Sequence, residues 1–503
     1  RLIEEGGRWM RSVLSNGGAP PEVDAGIIEI LKSYYLHGKE SENPSAARAV
    51  LSKAGADGPE TIFSAMVRAG LWDVNENLDL YRYEIPTEFP AQVMEKAEEL
   101  YARAENFPPD SKRRDLTDLD VITIDGQGTM DFDDALSLEQ QGRQLRIGVH
   151  ISDVAAWVEK GGVIDREVIS RGTSIYMPDL KIPMLPNGLA EDLCSLIREK
   201  VRPAISIFFT VSSQADIVNH EIVPSWISVK RQLTYTEADN MVQSDQALQA
   251  LHRTALAFNR KRLENGAVQI LLPELNVRVY NGGDIRLKTM SRDSPGRLLV
   301  AEMMIMANWV MARFLSENEM PAIFRSQSGP RGRLYSGDDE GTLFQNWMQR
   351  RMLSRVVLGT GPEPHSGLGL DAYTTATSPI RKYFDLLTQR QLRACFAMEE
   401  PYSASEIDEM LQMLQIPLSR ARLVQNRRLR FWILKYLEGM IGTKAEAIVL
   451  DKRRDGYTIL LPDYLMEARM SVTSGVDLKP GDLARITFQH VDAARDKLAV
   501  FLG

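Results

Sequence analysis

A chain of 503 residues exceeds the roughly 250–300 residues at which one hydrophobic core stops growing, so about two to four domains are expected. Hydrophobic residues at 44% and charged residues at 25% exclude the disordered and fibrous classes. A net charge of −8 excludes a surface coated throughout with phosphate-binding cations, although a basic channel inside an acidic body survives that argument.

From Pro20 to Trp72 apolar residues recur at helical spacing between turn residues, which predicts three short helices at Ala25–Leu36, Pro44–Ala54 and Pro59–Leu71. Such a bundle fits a helix-turn-helix-like unit or a plain helical one. Ala91–Asn106 is a further helix, stopped by Phe107-Pro108-Pro109-Asp110, and a domain boundary is placed there. After Arg113 strands take over: Asp120–Asp125, then ALSLE and QLRIGVHI around a QQGR turn, as in a hairpin. Leu145, Ile147 and Val149 alternate with Arg146, Gly148 and His150, the pattern of a half-buried strand. Mixed segments follow to about Ala397, then helical ones from Ser405 to Tyr436 that carry the basic run up to Arg430. From Thr443 to Leu502 short strands separated by Asp455-Gly456, Pro462-Asp463 and Pro480-Gly481 suit a small barrel of the OB type, a frequent single-strand binder, or a purely structural barrel.

No apolar run approaches the roughly 20 residues of a membrane helix, so no membrane partner is expected. Cys194 and Cys395 lack metal-ligand spacing and suit a reducing compartment, the cytoplasm or an organelle matrix. The chain opens on Arg1 rather than methionine, which leaves a targeting segment open.

The sharpest local feature is Asp125-Gly126-Gln127-Gly128-Thr129-Met130-Asp131-Phe132-Asp133-Asp134, four carboxylates beside a strand end. Crowded carboxylates raise one another's pKa, so the cluster calls for a cation or full solvation. Magnesium, with its preference for oxygen ligands, fits, and paired ions assist phosphodiester hydrolysis. The alternatives are a solvated acidic loop and an EF-hand. The EF-hand fails on spacing, because with Asp131 first the fifth position is Ala135 and the twelfth Gly142. Far downstream, Ala372 to Leu386 combines Tyr373, Ser378, Arg381 and Lys382, a composition suited to phosphates and bases. A helix start with Pro379 in its first turn accounts for it equally well.

The two segments together resemble the signature of the RNB family of exoribonucleases, the ribonuclease II and ribonuclease R group. IDGQGTMDFDDALS is similar to the family's D-x5-D-x-D-D element, and YTTATSPIRKYFDLL to its Y-x-x-x-T-S-P-I-R-[RK]-Y-x-D-L element. Val149–Val158, Gly172–Leu196 and Val300–Asn308 agree in the same order, so the resemblance runs from about Arg113 to Cys395.

The expected architecture is α+β: the helical N-terminal region over residues 1–110 comes from the periodicity, and the resemblance implies an RNB catalytic domain over 111–437 and an OB-fold RNA-binding barrel over 438–503. It implies magnesium, with manganese as a substitute, held by Asp125, Asp131 and Asp134. Asp133, Arg381 and Asp131 would be catalytic, with Asp133 managing the attacking water and Arg381 stabilising the phosphate. Tyr176 would hold the 3′-terminal nucleotide and Glu302 lie near the terminal bases, with Tyr373, Ser378 and Lys382 as further substrate contacts. The implied activity is 3′→5′ hydrolysis of single-stranded RNA to nucleoside 5′-monophosphates by a monomer without an obligate protein partner. The rival is an RNB-derived protein that only binds RNA or regulates. Departures from the family pattern are Thr375, Gln389, Arg325-Ser326-Gln327 where R-V-H is common, and Ala267-Val268-Gln269-Ile270 where A-L-D-F is common. Helices are expected where the family usually has strand-rich entrance barrels, unless those barrels lie in a segment upstream of Arg1.

Overall fold

The computed structural model describes residues 1–503 apart from 16–21, 105–109, 143, 213–214, 281–282, 292, 336–339 and 472–475. Residues Arg1–Thr87 form one compact unit and Glu88–Gly503 another. The first holds α1 (Leu2–Ser15), α2 (Ala25–His37), α3 (Pro44–Ala54), α4 (Glu60–Arg68) and α5 (Leu78–Arg82) around Trp9, Met10, Leu31, Ile62, Met66 and Trp72. The three expected helices are α2 to α4; Pro20 lies outside the described residues. Helix α1 was not expected, because Gly6-Gly7 weakens helix propensity. The pair serves packing instead: a Cβ on Gly6 would stand 2.9 Å from Ile27 and 3.0 Å from Val50.

The second unit opens with α6 (Ala91–Arg103), whose Val93 and Ala97 join a core with Trp157, Ile164, Leu189 and Leu387. This packing groups α6 with the larger unit, a correction to the boundary expected near residue 110; residues 107–109, expected to stop the helix, lie outside the described ones. Next come β1 (Arg114–Asp115), β2 (Val121–Asp125), β3 (Asp134–Gln141), β4 (Gln144–Ser152), α7 (Val163–Arg171), the small hairpin β5 (Ile175–Tyr176) and β6 (Lys181–Ile182), then β7 (Val201–Val211) and β8 (Ile217–Thr234). The six-stranded sheet has the order β1-β8-β2-β3-β4-β7, and β7 also pairs with the long β8, so the sheet returns on itself and leaves the two-residue β1 as its exposed edge. β3 and β4 form the expected hairpin, with Gln141 opposite Gln144.

β4 is a correction to the half-buried strand: from Ile147 onward both faces are buried between β3 and β7. His150 is fully buried, its ring nitrogens 2.7 Å from Ser206 Oγ and 2.9 Å from Ser137 Oγ. Burial pushes its pKa down to about 3, so the ring is neutral. Gly148 provides the room, because a Cβ there would collide with Ser137 Oγ and stand 2.8 Å from His150.

After β8 the chain forms α8 (Tyr235–Met241), α9 (Gln246–Glu264), the two-stranded ribbon β9 (Glu274–Val279) and β10 (Ile285–Met290), and α10 (Pro295–Glu317). α10 has the length and apolarity to cross a membrane, a correction to the expectation that no run does; here it fills the core beside the sheet and buries Glu302 and Asn308. Then follow β11 (Phe324–Gln327), α11 (Leu343–Met352), β12 (Val356–Gly359), α12 (Tyr383–Cys395) and α13 (Ala404–Glu438), a helix of 35 residues with Pro417 inside it.

The last strands are β13 (Lys444–Arg453), β14 (Gly456–Leu461), β15 (Met466–Ser471), β16 (Leu483–Asp492) and β17 (Lys497–Leu502). They close as β13-β14-β15-β17-β16, with β15 and β17 parallel, the order of the expected OB type. The barrel core of Val449, Ile459, Ile486 and Phe488 is continuous with Trp432 and Leu437 of α13 and with Val277 of β9.

Candidate active site

Asp125 ends β2 and Asp134 begins β3, so the segment between them carries Asp131 and Asp133 across the sheet rim. Ser195 pins this segment: its hydroxyl accepts from the Phe132 N–H at 2.9 Å and donates to the Met130 carbonyl at 2.8 Å. The Asp133 carboxylate accepts from the Ile380 N–H at 2.8 Å and from Arg381 Nε at 3.1 Å. Two distant parts of the chain thereby meet. The Arg381 backbone is held as well, its carbonyl accepting from the Ser174 N–H and the Thr173 hydroxyl, both at 2.9 Å. Arg381 Nη2 donates to Ser378 Oγ at 3.1 Å, and the Ser378 N–H donates to buried Asp385 at 2.9 Å.

Burial dominates the electrostatics. It pushes Asp125 up to about 6, against the pull of Arg381 and helped by Asp131. Asp133 rises to about 7, burial outweighing Arg381 and the Ile380 N–H. Asp134 rises well above the carboxylate range through burial and the neighbouring Asp125 and Asp133. Burial works against the charge of Arg381, yet Asp133, Tyr176 and Asp134 together outweigh it and the guanidinium stays firmly protonated. Asp131 accepts from the Tyr176 hydroxyl at 2.8 Å and pairs with Lys181 at 3.2 Å.

This donor set fits magnesium. All four groups offer hard oxygens, and Asp125 Oδ2 is buried with no hydrogen-bond partner among the described residues. Among the described residues no three ligating groups are close enough to form a finished cage. That agrees with an ion that takes one or two carboxylates and completes its shell with water and phosphate oxygens.

Asp125, Asp131, Asp133, Asp134, Tyr176 and Arg381 line one cleft of about 990 Å³. Ser378 is buried behind it against Arg381. Like Ser378, three further expected contacts, Glu302, Tyr373 and Lys382, are not among the residues that line the cleft. Glu302 is 2% exposed; Arg262 grips it through Nε at 2.9 Å and through Nη2, and Asn259 donates to it at 2.8 Å. Both of its oxygens are engaged inside the protein, and Arg262 faces a separate cavity of about 700 Å³. Tyr373 is buried against His365 and Asn308. Lys382 is exposed at the N-cap of α12. That helix begins at Tyr383, so Pro379 lies in the preceding turn and not in its first turn.

The departures are accommodated. Gln389 is buried, donating to the Ser152 carbonyl at 2.6 Å, and Gln327 donates to the Ser354 carbonyl at 2.7 Å. Ile270 is half-buried. Sequence reasoning missed Lys181, which faces Tyr176 across the β5–β6 pair, and Asp385. It also missed Tyr235 and the β9–β10 ribbon, which line the same cleft. The alternation of Leu275, Val277 and Val279 and of Ile285 and Leu287 was the available signal for the ribbon.

Comparison with known proteins follows this geometry. The family described as the RNB domain matches residues 113–397, and one described as a double HTH domain matches residues 1–78. An uncharacterized ribonuclease of Synechocystis is 31% identical over 94% of this chain and 72% of its own length. Chloroplastic/mitochondrial ribonuclease II of Arabidopsis thaliana is 29% identical over 87% of this chain, which spans 56% of that protein. Among solved structures, the Dss1 exoribonuclease of Candida glabrata superposes with a TM-score of 0.78 at 20% identity, covering 100% of this chain and 69% of that one. Mycoplasma genitalium RNase R with ribose-methylated single-stranded RNA gives 0.73 at 19% identity, covering 85% and 77%. Yeast Ssd1, a pseudonuclease, gives 0.61 at 20% identity, covering 82% and 56%. These likenesses at low identity are likenesses of fold.

Proposed function

This chain belongs to the RNB family, the ribonuclease II and ribonuclease R group, and from that premise we propose that it shortens single-stranded RNA from the 3′ end, releasing nucleoside 5′-monophosphates. One observation carries the reading: Arg381 reaches Asp133 across 248 positions of sequence, inside a cleft that also holds Asp125, Asp131 and Asp134. The clustered carboxylates, joined to Arg381 in one cleft, support this reading over that of a protein that only binds RNA.

Asp125, Asp131 and Asp134 would hold magnesium, with manganese as a substitute. When bound, the metal would supply Lewis-acid stabilisation of phosphate charge and a lowered pKa for water. Asp133, held by the Ile380 N–H and Arg381 beside those carboxylates, would manage the attacking water. The new bond forms between water oxygen and phosphorus, the bond to the 3′-oxygen breaks, and solvent protonates that oxygen. Arg381 uses Nε for Asp133 and Nη2 for Ser378, and its half-exposed guanidinium keeps N–H groups free to face a phosphate. Tyr176, 39% exposed, presents its ring to the terminal base.

The test is direct. A 5′-labelled single-stranded RNA, a duplex with a 3′ overhang and the matching DNA are incubated with magnesium or with chelator. A ladder shrinking from the 3′ end in magnesium alone is expected; intact RNA, or cleavage undiminished by chelator, overturns the reading.

A further inference from the structure

The ribbon of β9 and β10 has two unlike faces. Val277 is buried in the barrel cluster, and Leu275, Val279, Ile285 and Leu287 pack against the same cluster. Because successive side chains alternate, the other face carries Asn276, Arg278, Arg286 and Lys288, and these line the cleft that holds the aspartates. Acidic floor and basic wall therefore belong to one cavity.

The cations on this wall do not neutralise the floor. The aspartates take their ion pairs from Arg381 and Lys181. On the ribbon, Asp284 pairs with Arg286 at 3.1 Å and Glu274 with Arg297 at 3.5 Å. Arg278 and Lys288 have no ion-pair partner among the described residues. Arg278 also stands directly opposite Arg286 in the ladder, and like charges so placed destabilise a strand pair unless an anion lies between them. Next to them Tyr280 is 43% exposed, with the Arg286 guanidinium 4.9 Å from its ring centre. Arg278 and Lys288 are diagonal neighbours across the two strands, roughly 7–8 Å apart at such positions, and with the exposed Tyr280 ring beside them they suit successive phosphates and a base of an extended nucleotide strand.

We propose that the cleft face of the β9–β10 ribbon is a phosphate-binding strip, with Arg278 and Lys288 as its contacts, that grips single-stranded RNA on the 5′ side of the nucleotide being removed. This rests on the functional reading above: with the 3′ end at the aspartates, everything held beyond is 5′ in direction. The strip then governs how short a strand becomes before it is released, without taking part in the chemistry.

The experiment measures binding of a fluorescein-labelled 20-nucleotide oligouridylate at several salt concentrations. It uses the Asp133→Asn protein, so that bound RNA persists, with and without Arg278→Gln, Lys288→Gln and both together. Each substitution is expected to lower the slope of log affinity against log salt by about 0.7, the value for one lost phosphate contact on a single strand. The double variant should bind at least tenfold more weakly at low salt. In the otherwise unaltered enzyme the double variant should keep its single-turnover rate at saturating RNA and leave longer end products. An unchanged slope and affinity in the double variant overturns the strip, as does a loss of rate at saturation with unchanged affinity. The two readings fail separately: RNA that binds with the expected slope changes but is never shortened by the unaltered enzyme overturns the nuclease and keeps the strip, whereas normal shortening with unaltered slopes does the reverse.

Discussion

Arg381 divides its fork between Asp133 and Ser378, and a lysine cannot make both contacts while also facing a phosphate. Arg381→Lys should therefore lower the single-turnover rate at least about tenfold, roughly 1.4 kcal/mol of transition-state stabilisation, while RNA affinity changes little. Wild-type rates for bound RNA would remove Arg381 from the chemistry. Lys382→Ala, altering an exposed N-cap residue, should leave the rate alone. His150 gives a pH signature in stability. Its folded pKa of about 3 lies below the unfolded value near 6.5, so the unfolded chain takes up a proton that the folded one refuses. Its contribution is complete above pH 6.5 and falls away toward pH 3. His150→Asn should flatten that acid limb by about 1.4 kcal/mol per pH unit, the slope of one proton. Denaturant titrations between pH 4 and 6.5 check it, and an unaltered slope would mean that His150 is protonated in the fold. At this scale charge density drew attention to the aspartates, but it left a solvated loop open, and only the resemblance to the RNB signature gave them roles. Glu302 was not: matching a motif gives a position, and only the fold reveals that Arg262 and Asn259 already use its oxygens.

Among the elements, β4 shows how a sequence pattern misleads. Arg146, Gly148 and His150 read as a wet face, but Gly148 has no side chain to solvate and His150 is neutral between two serines. Gly148→Ala should push Ser137 away from His150 and strain the β3–β4 pair, costing about 1–3 kcal/mol as overpacking does. Thermal unfolding reads this directly; a melting temperature equal to wild type would show that the hairpin yields. The barrel was legible because turn pairs punctuate its strands. The ribbon was not, because its apolar face finds its partner in α13 and the barrel, more than a hundred positions away in sequence. Trp432, 3% exposed where α13 meets the barrel, should cost about 3–5 kcal/mol on truncation to alanine.

On the scale of the whole molecule, each of the two compact units has its own buried core. Residues 88–503 alone should therefore unfold in a cooperative transition and still shorten single-stranded RNA, because every cleft residue named above lies within them. Calorimetry and the labelled-RNA assay on that fragment decide it, and a fragment without a cooperative transition would show that the larger unit depends on the first. The net charge of −8 hid the basic wall, since a few cations concentrated in one cleft leave little trace in a sum over 503 residues.

The long reach from Asp133 to Arg381 also has a temporal side. Translation adds about 5–20 residues per second, so the 248 positions between them take roughly 12–50 s to synthesise. Throughout that interval the nascent chain carries its acidic cluster without the guanidinium that pairs with Asp133 in the fold. The contact that joins the two halves of the candidate site therefore forms only after the downstream segment has been made, however early the aspartates emerge.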